Sequence, residues 1–143
     1  MKVNKINKEF LDLIYKKKTI AMDFDEKNGK VYLTDTYKLF VINFEDFIFR
    51  FDLFRKASLI GFNDDTNYLK GIITDVIYKD EDKIEKRLIT SEDGAINIKV
   101  NNKYLEYFDK PKVKVLSDDK PILIYENDKF VGLILPIKEY WYE

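Results

Sequence analysis

The stretch INIKVNNKYLEYFDK, residues 96–110, passes from an alternating run through paired asparagines into a helical pattern. Near the other end, VNKINKEFLDLIYKK, residues 3–17, reads the same way. Laying residues 5–16 on residues 99–110 brings Lys5 onto Lys99, Asn7 onto Asn101, Phe10 onto Tyr104, Leu11 onto Leu105 and Ile14 onto Phe108. An asparagine side chain caps a helix well because its oxygen accepts a backbone N–H that the first turn leaves unpaired. The pattern predicts, in each copy, a short strand, an N-cap at Asn7 or Asn101, and a helix with one buried stripe. The stripes are Phe10, Leu11 and Ile14, and Tyr104, Leu105 and Phe108.

The likeness continues beyond the helices. After the first, Asn28-Gly29 separates two extended runs, a strong hairpin signal. After the second, Asp118-Asp119-Lys120-Pro121 supplies the turn. Val31-Tyr32-Leu33 then corresponds to Ile122-Leu123-Ile124, and Leu39-Phe40-Val41-Ile42 to Phe130-Val131-Gly132-Leu133. The organisation read from this is one α+β domain over 1–143, a pseudo-twofold repeat of strand, helix and antiparallel strands. Repeat one spans about 1–43, an irregular insert about 44–96, repeat two about 97–138, and an aromatic tail 139–143. Within the insert, FIFRF (47–51) alternates like a strand, Asp52 to Leu59 has room for a helical turn or two, and Asn63 to Asn67 is a polar loop. Gly71 to Tyr78 and Ile84 to Thr90 look like two strands joined by the charged turn KDEDK.

Composition narrows the function classes. With 25 basic and 26 acidic residues the net charge is −1, so any nucleic-acid contact has to come from local patches. The absence of cysteine and histidine removes disulfides, thiol nucleophiles, Cys/His zinc sites and the imidazole base. Ten Tyr and eleven Phe point to an aromatic-heavy core or interface. The start MKVNKINKEF has no apolar run of signal-peptide length, and no stretch is long enough to span a bilayer. A cytoplasmic location without a membrane partner is expected. The wealth of Lys, Ile, Asn and Tyr is that of a low-GC bacterium or phage.

Three motifs carry a resemblance. Val100-Asn101-Asn102-Lys103-Tyr104-Leu105, Pro121-Ile122-Leu123-Ile124 and Leu135-Pro136-Ile137-Lys138 resemble, in order, the helix entry, the strand run and the closing motif of the bacterial sliding DNA clamp, the DNA polymerase III beta subunit family. Leu33-Thr34-Asp35-Thr36-Tyr37-Lys38-Leu39 has the shape of that family's turn without its glycine. The middle of the chain resembles no part of it. A clamp subunit has three such domains, and this chain has room for one.

The resemblance implies a sliding-clamp-like frame with two helices side by side on one face of the sheets. It implies duplex DNA against Lys8, Lys16, Lys103 and Lys110 of those helices, with Lys17, Lys18 and Lys112 just after them. Asp12 and Glu106 interrupt that track, so a plain solvated face is the competing reading. It also implies a partner groove at Leu135, Pro136, Ile137 and Lys138; Tyr140 and Trp141 either anchor a partner there or pack on the domain.

Nothing in the sequence assembles a catalytic site. Asp23, Asp25 and Asn28-Gly29 have the wrong spacing for a calcium loop, and no phosphate-binding or nucleophile motif is present. No enzyme activity, metal or cofactor is expected. Two functions remain. One is a replication processivity or accessory factor that self-assembles as a homo-oligomer and binds DNA or a polymerase. The other is a monomeric clamp-fold interaction module, phage or mobile-element encoded, that engages a host replication or defence protein.

Overall fold

The computed structural model describes residues 1–61 and 65–138. It is a mixed α+β structure in which ten strands form one sheet and two helices lie on one of its faces. Helix α1 is Val3–Tyr15 and α2 is the single turn Asn102–Leu105. The strands are β1 (Ala21–Asp25), β2 (Lys30–Thr34), β3 (Lys38–Asn43), β4 (Arg55–Lys56), β5 (Leu69–Lys79), β6 (Glu85–Ser91), β7 (Asn97–Asn101), β8 (Lys112–Val115), β9 (Ile122–Glu126) and β10 (Lys129–Ile134). Their order across the sheet is β4-β1-β2-β3-β10-β9-β8-β5-β6-β7, with β3 and β10 antiparallel at the middle.

The registers on either side of that middle pair correspond. Ala21 faces Thr34 in the first hairpin, and Lys112 faces Tyr125, each 91 positions on. Thr34 faces Leu39, and Tyr125 faces Phe130 at the same offset. A bulge between Phe130 and Gly132 then shifts β10 by one residue.

Strand alternation divides the apolar residues between two layers. On the helix side, Val31, Leu33, Phe40, Ile42, Val113, Val115, Ile122, Ile124 and Ile134 pack with Ile6 and Phe10 of α1 and with Leu105, Tyr107 and Phe108. On the other side Tyr32, Leu39, Val41, Leu123 and Leu133 are covered by Ala57, Leu59 and Tyr68 of the insert. The insert therefore closes the back of the sheet, and through β5 and β6 it also extends one end. Ile89, Ile98 and Val100 belong to the helix-side core, so β6 and β7 curl towards α2.

Several sequence expectations are corrected. No strand precedes the first helix, which starts at Val3 with Lys2 before it and no side-chain cap. Asn7 lies inside α1 and is buried, so only Asn101 caps, accepting from the Lys103 N–H. Leu11 is exposed, because the helical turn that buries Ile6 and Phe10 directs Leu11 outward. The second helix stops at Leu105: burying Leu105, Tyr107 and Phe108 together needs an irregular turn, and Pro111 cannot continue a helix. FIFRF forms no strand. It runs between the 3-10 turns Phe44–Asp46 and Phe51–Leu53, and its rings pack on one another, as in the pairs Phe47–Phe51 and Phe47–Phe49. Of the helical turns expected from Asp52 to Leu59, the 3-10 turn Phe51–Leu53 covers the start, and β4 then joins β1 in parallel. The β5–β6 hairpin stands where the sequence puts it.

Candidate nucleic-acid interface

Helix α1 and the segment around α2 join into one surface. The Lys2 N–H donates to the Tyr107 carbonyl, and the Tyr107 hydroxyl donates to Glu9 at 3.0 Å. Lys5 meets Glu106 at 3.1 Å, and the terminal ammonium of Met1 meets Asp109 at 2.8 Å. Burial and the Glu9 carboxylate push the Tyr107 phenol well above its usual range.

Charge on this surface is unevenly spent. Residues 1–18 and 101–110 hold eight lysines against four acids, a basic excess on a chain whose net charge is −1. Each of the four acids has a partner: Glu9 has Tyr107 and Lys38, Asp12 has Lys16 at 2.9 Å, Glu106 has Lys5, and Asp109 has Met1. The bond to Asp12 raises the Lys16 ammonium above its ordinary value. Lys8, Lys17, Lys18, Lys103 and Lys110 are exposed and form no ion pair among the described residues. The acids that interrupt the track in the sequence are thus occupied by neighbours, and the uncompensated charge is positive.

The expected lysines are brought together only in part. Lys8 is on α1, Lys16 is the C-cap residue just after it, and Lys103 is on α2. Lys17 and Lys18 close α1: the Lys17 N–H donates to Ile14 and the Lys18 N–H to Leu13, with Lys17 in the left-handed region at φ 55°. That is the bonding of a Schellman C-cap. Lys110 is in the turn after α2, at φ 44°, and is on no helix. Lys112 is removed from the set. It faces Tyr125 across β8 and β9, on the side of the sheet away from the helices. There it lines a cleft with Lys70, Lys114, Asp65, Glu92 and Asp128, where acids balance bases.

Two features escaped the sequence reading. The first is a shallow groove along the outside of α1, lined by Asn4, Lys5, Lys8, Glu9, Leu11, Asp12, Tyr15 and Tyr107. Leu11 is 60% exposed and Tyr15 85%. The signal was present: Asn4, Lys8, Leu11 and Tyr15 recur at spacings of four and three, a second stripe of the same helix. The second is a buried cation. Lys38, expected only as part of a turn, is 2% exposed between Asp35, Glu9 and the ring of Tyr104.

At the proposed partner groove, Leu135 and Lys138 are exposed, and Pro136 and Ile137 are half-buried. The Leu135 N–H donates to the Tyr37 carbonyl and the Ile137 N–H to that of Lys99, so this segment runs against the outer edge of β7. Tyr140 and Trp141 lie outside the described residues, as do Asn63 and Asp64 of the polar loop.

No family model, curated protein or solved structure matches the chain. Among the described residues, no group of three or more acidic side chains is placed to hold a metal ion, and no helix is long and apolar enough to cross a membrane.

Proposed function

We propose that this chain is a non-enzymatic binding protein on a sliding-clamp-like frame, a processivity or accessory factor of DNA replication whose helix side faces nucleic acid. One observation carries the functional half: every acid among residues 1–18 and 101–110 is partnered, while Lys8, Lys17, Lys18, Lys103 and Lys110 form no ion pair among the described residues. Exposed lysines left in this state suit phosphates, whose condensed counterions they release. The frame half, a pseudo-twofold repeat, is supported by hairpin registers that recur 91 positions apart on either side of β3 and β10. It is supported too by α1 and the segment that follows α2 lying over one face of the sheet, where Phe40 touches both Phe10 of α1 and Phe108.

The test compares binding to a nicked circular duplex with binding to a short linear one over a salt series, alongside light scattering of the free protein. A closed multiple of the subunit and a preference for the circle are expected for an encircling homo-oligomer. Equal binding to both substrates removes encirclement and leaves an open DNA contact. With five free lysines engaged, the logarithmic salt slope is about −4 to −5.

The monomeric interaction module is the second reading. It is favoured by Phe44, Ile48, Phe51 and Leu53, which are all 41–67% exposed beside the short edge strand β4. Exposed apolar groups gathered in one segment are characteristic of partner surfaces. A monomer that ignores DNA, and a host protein lost on Phe44→Glu or Ile48→Glu, would place the function there.

A further inference from the structure

We infer that the outer end of α1 is a stacking platform for single-stranded nucleic acid, with Tyr15 as the base-stacking residue. The inference rests on the helix side being the nucleic-acid side and adds which form of nucleic acid it takes. Tyr15 is the last residue of α1 and 85% exposed, and it has no hydrogen bond or ring contact among the described residues. Side chains of a helix lean towards its N-terminus, so this ring lies over the turn that carries Leu11 and Asp12, and the three line one groove. Leu11, 60% exposed, gives the groove an apolar floor.

Cations flank the ring on both sides. Lys8 stands two turns before it, about 10 Å along the axis. Lys17 and Lys18 follow it immediately, held by the bonds that close the helix. An exposed ring with exposed lysines before and after it, none of them in an ion pair among the described residues, is the arrangement that binds a single strand without reading sequence: bases stack on the ring while phosphates follow the lysines. A duplex cannot use the ring in this way, because the faces of its bases are covered by their neighbours. A protein partner would also cover Leu11 and Tyr15, but it would have to supply acids to Lys8, Lys17 and Lys18, and it is the outcome that the test must separate.

The experiment is fluorescence anisotropy of the full chain with a labelled oligothymidine and with a blunt duplex of equal length. The single strand is expected to bind more tightly. Tyr15→Ala should weaken it about tenfold and leave the duplex unchanged, while Tyr15→Phe keeps the affinity. Lys17→Ala with Lys18→Ala should weaken both forms. If Tyr15→Ala changes nothing while the lysine variant still weakens binding, the stacking platform is wrong and the helix-side reading stands. If neither nucleic acid binds, both fall; a native mass that drops on Leu11→Glu would then assign the groove to a second copy of the chain.

Discussion

The ammonium of Lys38, the first residue of β3, sits 4.4 Å from the centre of the Tyr104 ring of α2. Asp35 lies 2.5 Å and Glu9 3.6 Å from the same nitrogen. One cation thus ties β3 and the turn before it to α1 and α2. A buried pair contributes little net stability over an apolar replacement, but removing one partner strands the other. Lys38→Met should therefore cost about 3 kcal/mol in urea unfolding, and Lys38→Met with Asp35→Leu should recover much of that. Additive losses in the double variant would mean that the two side chains act separately.

Gly132 marks the seam between the two halves of the sheet. A Cβ there would fall 2.2 Å from the Leu39 carbonyl oxygen and 3.1 Å from the Phe108 ring. The first contact is with backbone, which cannot step aside as the end of a side chain can. Gly132→Ala should destabilise by about 1–3 kcal/mol, within the range of overpacked cores. Because Gly132 pairs with Phe40, the damage should reach both halves, and hydrogen exchange should accelerate in β3 as well as in β10. Exchange confined to β10 would show that the seam yields locally.

How far the sequence could be read follows from the same residues. Alternation and turn chemistry are local, so the hairpins of β1–β2, β5–β6 and β8–β9 were legible from Asn28-Gly29, KDEDK and Asp118-Asp119-Lys120-Pro121. Asn7 and Asn101 carry the same letter in aligned places, yet one is a cap and the other is buried in mid-helix. The difference is tertiary: the Lys2 N–H docks on Tyr107, and α1 begins early. Lys112 shows the other limit. Its sequence neighbours belong to the helix side, but strand alternation turns it through the sheet. Lys38 looked like an ordinary turn lysine because its partners Glu9 and Tyr104 lie far off in the chain.

Among the described residues five tyrosines, Tyr32, Tyr68, Tyr104, Tyr107 and Tyr125, have phenols raised above the usual value, in each case first by burial. The Asp65 carboxylate adds to this at Tyr125, and Glu9 at Tyr107. In the unfolded chain phenols ionise near about 10. Between that value and the raised ones the folded chain holds more protons than the unfolded chain, so stability falls as pH rises. The urea midpoint should be flat below about pH 10 from this source and drop above it. Tyrosinate absorbance should show these five ionising at higher pH in the folded chain than in the unfolded one. Tyr107→Phe and Tyr125→Phe should each flatten the alkaline fall, and an unchanged fall in both would assign it to other groups.

Lys17 allows fold and binding to be tested against each other. Its φ of 55° is the left-handed conformation that a residue with a Cβ adopts at a cost of about 1 kcal/mol. The two bonds that close α1 there use only backbone, the Lys17 N–H to Ile14 and the Lys18 N–H to Leu13. Lys17→Gly keeps both and relieves the strain, less what glycine loses in entropy on folding, so it should stabilise the chain by about 0.5 kcal/mol. The same change removes one unpaired cation from the end of the proposed track and should lower the salt slope of nucleic-acid binding by about 0.9. A more stable protein that binds more weakly would separate what Lys17 does for the helix from what it does for the surface. A more stable protein with an unchanged slope would leave the cap in place and take Lys17 out of the binding face.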